Sequence, residues 1–289
     1  MHPLVDRAVA QYLSAIDAEA PNLVEGLYLT GSAALGDFRP RSSDIDFVAV
    51  TATRPDSAGL AALARAHRRL RTRCRRPCFD GLYVTWDDLA NDPVLTNRAP
   101  HSCEGRFRRR STRAGDPVIW HTLAQSGIPC RGPKPADLDV WLDGSGLARW
   151  TLDNLKSYWR PLVSRSSGLF HRRSLIALTS YGTVWIVLGV SRLHYTLATG
   201  RICSKEDAGT YALRTFPAEW HRVVEESLRL RRADLARPDW GSALDDVKDS
   251  LRTRRRADSK SSYATLHARR RDVLSFCEMV IADAFLRYG

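Results

Sequence analysis

Leu29-Thr-Gly-Ser-Ala-Ala-Leu-Gly-Asp-Phe38, followed after four residues by Ser43-Asp-Ile-Asp-Phe-Val-Ala-Val50, is the stretch that decides the fold. Gly26 to Thr30 is a short apolar run that reads as a strand and ends in Gly31-Ser32. A loop with Gly36 and Pro40 follows, and Ser42-Ser43 leads into a second strand, Ile45 to Val50, rich in branched and aromatic residues. Asp44 and Asp46 stand two apart at its start, so both carboxylates project from one face. Two such carboxylates repel unless a cation sits between them, and oxygen ligands of this kind suit Mg²⁺, which keeps several waters and also binds phosphates. Gly31 lets backbone N–H groups approach an anion, and Ser32 can donate its hydroxyl to a phosphate oxygen. The bland alternative is an edge strand with two solvated aspartates behind an ordinary turn. Against it, Ile45, Phe47, Val48 and Val50 are expected to bury the strand's other surface.

Outward from this stretch the chain divides into two unlike halves. Up to about Val140, short apolar runs alternate with helical spacing: an amphipathic helix from Leu4 to Ile16, another from Ser57 to Arg73, a third strand at Gly81 to Thr85, and a helix at Pro117 to Gln125. Pro93 to Asp116, with its basic run at Arg106 to Arg110, is aperiodic and reads as a loop. After Asp143 strand signals nearly vanish, and helices are expected at Leu147–Tyr158, Arg173–Thr199, Lys205–Phe216, Ala218–Ala233 and Ala264–Arg287. The expected fold is α+β: a catalytic domain over residues 1–145 with a mixed β-sheet flanked by helices, then an all-α bundle over 146–289.

Composition narrows the class further. At 289 residues, 44% hydrophobic and 26% charged, the chain is globular rather than disordered, collagenous or a disulfide-dense mini-protein. The uncharged run Ser174 to Ser191 carries too many hydroxyl and glycine residues for a membrane span and reads as a buried bundle helix. Six cysteines without CxxC or zinc spacing suggest reduced thiols, hence a cytoplasmic protein. The formal charge is +12, with 39 Arg against 5 Lys. It splits unevenly: residues 1–145 carry 19 basic and 17 acidic side chains, whereas 146–289 carry 25 and 15. A genomic arginine bias and an anionic partner both fit, and Arg252–Arg256 with Arg269–Arg271 are candidate phosphate contacts.

Taken together, the Gly-Ser and Asp-Ile-Asp segments resemble the DNA polymerase β-like nucleotidyltransferase superfamily, and the sequence is most similar to aminoglycoside (streptomycin/spectinomycin) adenylyltransferases. A second matching segment runs from Ser191 to Ala208 and on through Tyr211 and Pro217, similar to the helical second domain of those enzymes. The resemblance implies that Asp44 and Asp46 hold Mg²⁺, that Gly31, Ser32 and Ser43 grip the triphosphate of ATP, and that Arg192 and Lys205 reach its β- and γ-phosphates. The family's catalytic base, a glutamate, falls at Asp80 in Phe79-Asp-Gly-Leu-Tyr-Val-Thr-Trp-Asp-Asp-Leu89. Aspartate is one methylene shorter, so Asp87 and Asp88 stay open as competitors. The residues read the same way unaided in one respect. Gly200 fits a helix stop and Ser204 with Asp207 a capping box, which puts Lys205 at a helix start, where a bound anion offsets its unfavourable charge.

The implied reaction is transfer of AMP from ATP to a hydroxyl of a small molecule, an aminoglycoside-type antibiotic, with release of pyrophosphate. Glu104, Asp116 and Trp120 are candidates to line the acceptor cleft. Transfer to tRNA or protein, as in toxin-like enzymes, and a role in natural-product biosynthesis are the alternatives. A monomer is expected.

Overall fold

The computed structural model describes residues 1–96, 99–110, 115–167, 176–235 and 260–289. The chain forms two compact units, Met1–Gly144 and Ser145–Gly289.

The first unit is built on a six-stranded sheet. Its strands are β1 (Gly26–Leu29), β2 (Ile45–Thr51), β3 (Phe79–Thr85), β4 (His101–Cys103), β5 (Arg106–Arg108) and β6 (Ile128–Arg131), in the order β5-β4-β3-β2-β1-β6. Only β2 and β3 run parallel. Parallel neighbours need a crossover, and helix α3 (Ser57–Arg73) provides it, capped by the Asp56 carboxylate accepting from Gly59 N at 2.7 Å. Alongside it lies α1 (Pro3–Glu19), with proline in its first turn and the His2 ring accepting from Leu4 N at 3.2 Å.

Strand alternation sorts the core into two layers. Ile45, Phe47, Ala49, Phe79 and Tyr83 pack with α1 and α3 on one face. Val48, Val50 and Val84 pack on the other with Trp120 and Leu123 of α5 (Pro117–Ser126). This corrects one expectation: Val48 and Val50 share the face of Asp46, not the opposite one, so the carboxylate-bearing surface is itself half covered. Trp120 is correspondingly a core residue, 0% exposed, with its indole N–H donating to Leu89 O at 3.1 Å, and does not line a cleft.

The α1–α3 layer contains a buried polar trio. Tyr83 Oη lies 2.6 Å from Tyr12 Oη and 2.6 Å from His67 Nε2. Burial pushes the His67 imidazolium down to about 3, so the ring is neutral at physiological pH and the hydroxyls satisfy it.

Three strands escape the sequence pattern. β4 and β5 hold three residues each and β6 only four, including Pro129. Strands this short carry no readable alternation; they exist because the sheet's edges offer a ladder, and proline is tolerated on such an edge. Two one-turn helices, α2 (Gly31–Ala34) and α4 (Trp86–Leu89), follow β1 and β3.

The second unit is helical throughout its described residues. Helix α6 (Gly144–Asn154) runs through a π-turn at Leu155–Trp159 into α7 (Arg160–Ser167). Then come α8 (Ser180–Thr199), α9 (Lys205–Thr215), α10 (His221–Arg232) and α11 (Leu266–Tyr288). Their shared core includes Val187, Val190, Phe216, Leu228, Phe276 and Val280. The start of the helix expected from Arg173 lies outside the described residues; within them α8 begins at Ser180, capped by Thr179, whose hydroxyl accepts from Gly182 N at 2.9 Å. Within it Thr183 and Ser191 donate to the carbonyls of Thr179 and Val187, which removes the cost of burying their hydroxyls. No helix among the described residues is long and apolar enough to cross a membrane, and all six cysteines are free thiols.

Two proposed phosphate contacts stand differently from expectation. Arg252–Arg256 lies outside the described residues. Arg269 is 1% exposed, donates to Leu178 O at 2.8 Å and lies 3.6 Å from Glu226, so it is a core strut. Its neighbour Arg271 pairs with Asp272 at 3.2 Å.

Candidate active site

At the point where β1 ends and β2 begins, the backbone draws two segments together. Thr30 N donates to Asp46 O at 2.9 Å, so Gly31 follows directly over the start of β2. Gly31 adopts φ +56°, and a Cβ built on it would fall 2.0 Å from Asp46 Oδ2. Only glycine lets that carboxylate occupy the space above the turn. Next to it, Ser32 Oγ is buried and has no hydrogen-bond partner among the described residues. A buried hydroxyl left without a protein partner is uncommon and is open to a water, an ion or a ligand.

The intervening loop is tied down along its length. Asp37, 6% exposed, donates its N–H to Ser32 O at 2.9 Å and accepts from Arg39 Nε at 3.2 Å. Arg39 N donates to Ser43 Oγ at 3.0 Å, and Ser43 N returns to Arg39 O at 2.8 Å. Ser43 therefore closes the loop immediately before Asp44. These loop ties, unlike the glycine-serine pair, left no readable sign in the sequence.

The parallel register pairs Asp46 with Asp80, so their side chains leave the same sheet face side by side. Asp80 is held tightly. Its Oδ2 accepts from Glu104 N and its Oδ1 from Gly105 N, both at 2.7 Å, with Ser102 Oγ at 3.5 Å. Glu104 and Gly105, in the turn between β4 and β5, both take positive φ, +55° and +66°. A glutamate in that region is strained, and the two bonds to Asp80 stabilise it there. Glu104's backbone, rather than its exposed side chain, thus meets the site residue.

The competing carboxylates lie elsewhere. Asp88 forms a capping box with Thr85 and an ion pair with Arg54 at 2.6 Å. Asp87 neighbours it on the same turn. Both follow the far end of β3, about 17 Å of strand from Asp80 at roughly 3.3 Å per residue. Asp116 caps α5 by accepting from Val118 N at 2.9 Å.

The residues present fit a divalent cation held jointly with a nucleotide. Asp44 and Asp46 supply hard oxygen donors, and Ser32 an unsatisfied hydroxyl. Among the described residues no three His, Cys, Asp or Glu side chains converge as a metal cage. Such a cation would complete its shell with water and phosphate, which is how Mg²⁺ is usually bound.

In the second unit, Arg192 on α8 donates from Nε to Cys203 O at 3.0 Å, in the segment just ahead of α9. That bond fixes the guanidinium beside the start of α9, where Lys205 is the first helical residue. Ser204 caps the helix, accepting from Asp207 N at 3.0 Å and donating to the Asp207 carboxylate at 2.7 Å. Gly200 ends α8 with its N–H on Thr196 O. Arg192 makes no ion pair with a carboxylate among the described residues. Two cations are thereby gathered at one helix start. The Cys203 thiol beside them is pushed up to about 12 by burial and is not a reactive group.

Comparison with known proteins agrees with both halves. Residues 9–72 match the family model of the nucleotidyltransferase domain, and residues 167–255 match that of the aminoglycoside adenylyltransferase C-terminal domain. Among solved structures, the spectinomycin adenyltransferase AAD(9) from Enterococcus faecialis, crystallised with ATP and spectinomycin, superposes with a TM-score of 0.58 at 14% identity, over 88% of this chain and 99% of that one. No curated protein matches. The sheet, the Gly-Ser turn beside paired aspartates and the first family match define a nucleotidyltransferase. The C-terminal match places it more narrowly: it is a superfamily member that resembles the aminoglycoside adenylyltransferases.

Proposed function

We propose that the protein transfers AMP from ATP to a hydroxyl of an aminoglycoside-type small molecule in the cytoplasm, releasing pyrophosphate. The observation that carries this reading is the Gly31–Asp46 contact beside the unpartnered Ser32 hydroxyl, a place shaped for a phosphate and its counter-ion. In this scheme Gly31 and Ser32 bind the triphosphate, and Ser43 holds the loop that presents Asp44 and Asp46 to Mg²⁺. The cation, when bound, offsets the negative charge that develops on the phosphoryl oxygens. Asp80 accepts the proton of the attacking hydroxyl, oriented by its two backbone N–H bonds. Arg192 and Lys205 bind the β- and γ-phosphates, which leave as pyrophosphate.

The test is a pyrophosphate-release assay with Mg²⁺ and ATP against a panel of aminoglycosides, sugars and tRNA. Release is expected with at least one aminoglycoside-type compound and is abolished in Asp44→Ala, whose melting temperature stays near that of the wild type. Activity retained by that variant would sink the metal assignment. A response confined to tRNA would overturn the acceptor class.

A further inference from the structure

A cluster of arginines at one corner of the first unit has no part in the scheme above. Four arginines lie between positions 71 and 76 and four between 106 and 110, and all eight are exposed. The two groups adjoin in space: Arg71, Arg75 and Gly105 line one shallow recess, and a Cβ on Gly105 would touch Arg71 at 3.8 Å. The register fixes which way the edge strand's cations point. Leu82 pairs with His101, His101 with Arg108, and Cys103 with Arg106. Directly paired residues share a face, and Leu82 shares one with Asp80, so Arg106 and Arg108 project on the same sheet face as Asp80 and Asp46.

Several arginines elsewhere in the unit find carboxylates: Arg54 with Asp88, Arg65 and Arg69 with Glu19, Arg131 with Asp17. At the corner, none of the eight guanidinium groups forms an ion pair or donates a hydrogen bond among the described residues. The exposed acid on the adjoining turn is Glu104 alone. Like charges on a sheet edge repel, and a bound polyanion relieves that repulsion.

We infer that this corner, the β5 edge with the C-terminal end of α3, is an RNA-binding surface. Arg106 and Arg108 leave the sheet face opposite the one α3 covers, so the eight charges wrap around the β5 edge, and a partner that meets both groups needs dense, continuous negative charge. A nucleic-acid duplex supplies one charge per ~1.7 Å of axis, whereas an extended acidic peptide offers at most one per ~3.3 Å. Guanidinium forks also match phosphate geometry bidentately and stack on unpaired bases. The surface is independent of which small molecule the enzyme modifies, so loss of RNA binding and loss of nucleotidyl transfer are separate results.

The test is fluorescence anisotropy of a labelled RNA hairpin with the full chain, titrated between about 50 and 200 mM salt. Affinity is expected to fall linearly on a log–log plot, and Arg106→Glu/Arg108→Glu to weaken binding at least about tenfold while flattening the slope by about 2. Arg75→Glu/Arg76→Glu should act in the same direction, with unchanged melting temperatures for both. Binding that neither pair of substitutions alters overturns the proposal. So does a loss produced instead by Arg270→Glu/Arg271→Glu, and so does equal displacement of RNA by polyglutamate at matched charge, which would make the corner a protein-docking site.

Discussion

β2 and β3 each deliver an aspartate to the same sheet face at paired positions, yet the protein treats the two carboxylates differently. The Asp46 carboxylate is packed over Gly31, in the space a Cβ would fill, beside a hydroxyl that has no partner among the described residues. Asp80 has both oxygens held by backbone N–H groups of the neighbouring turn. In the proposed scheme the difference matches two chemical duties. There Asp46, packed over the Gly31 turn, would meet the cation, and Asp80, oriented by rigid backbone donors, would meet the proton at a fixed place.

The sharpest way to break that contrast is to close the space above the Gly31 turn. Gly31→Ala introduces a Cβ 2.0 Å from Asp46 Oδ2 at a backbone φ of +56°, so the carboxylate must move. Nucleotidyl transfer is expected to drop about 10³-fold or more, the scale of losing a charge-stabilising contact to the reacting phosphoryl group. The same variant costs ~1–2 kcal/mol of stability through the unfavourable φ, measurable by urea unfolding. A catalytically normal Gly31→Ala enzyme would show that Asp46 has no role in the reaction.

A smaller effect is expected at the other carboxylate. Asp80→Asn keeps the shape but offers one acceptor where two N–H groups now point, leaving the amide facing a donor. A lost general base costs roughly 10²–10⁴-fold in rate. Leaving one backbone donor unsatisfied costs a further ~1–3 kcal/mol of stability. A kcat/KM profile against pH separates the two roles: if Asp80 is the base, the acidic limb disappears in Asp80→Asn, and if it only anchors the turn, the limb survives at reduced height. Asp80→Glu adds the methylene that the family's residue carries and tests whether the turn tolerates it.

How much of this was legible in the sequence depended on the length of the signal. β1, β2 and the crossover helix α3 were readable to within a residue or two because each carries a full period of buried positions. Gly31, Ser32, Asp44 and Asp46 were readable because their chemistry is local, packed into one loop between two strands. β4, β5 and β6 were not: unlike β1, an unbroken buried run, they mix polar or exposed residues over three or four positions, and their pairing is decided by the partner strand. For the same reason the clamp on Asp80 was invisible: its donors are backbone atoms, and backbone atoms leave no letters. Arg269 misled in the opposite direction. A run of three arginines reads as a solvated face, but the first is buried against Glu226 and Leu178. Charge runs on a helix rotate by about 100° per residue, so one of three readily turns inward.

The smallest expected effect concerns the third donor to Asp80. Ser102 Oγ sits 3.5 Å from Asp80 Oδ1, at the edge of hydrogen-bond distance, while the same hydroxyl lies 2.8 Å from Phe79 O. The shorter contact is the genuine donor bond, because a hydroxyl has one proton and hydrogen-bond strength falls steeply with distance and angle. Ser102→Ala should therefore cost ~1 kcal/mol of stability and change the rate of transfer by no more than a few-fold, with the KM for ATP unaltered. If the backbone bonds from Glu104 and Gly105 suffice to orient Asp80, the pH profile of this variant overlays that of the wild type. A displaced acidic limb in Ser102→Ala would mean instead that Asp80 is tuned by side chains, and the contrast between the two aspartates would then be one of degree rather than of kind.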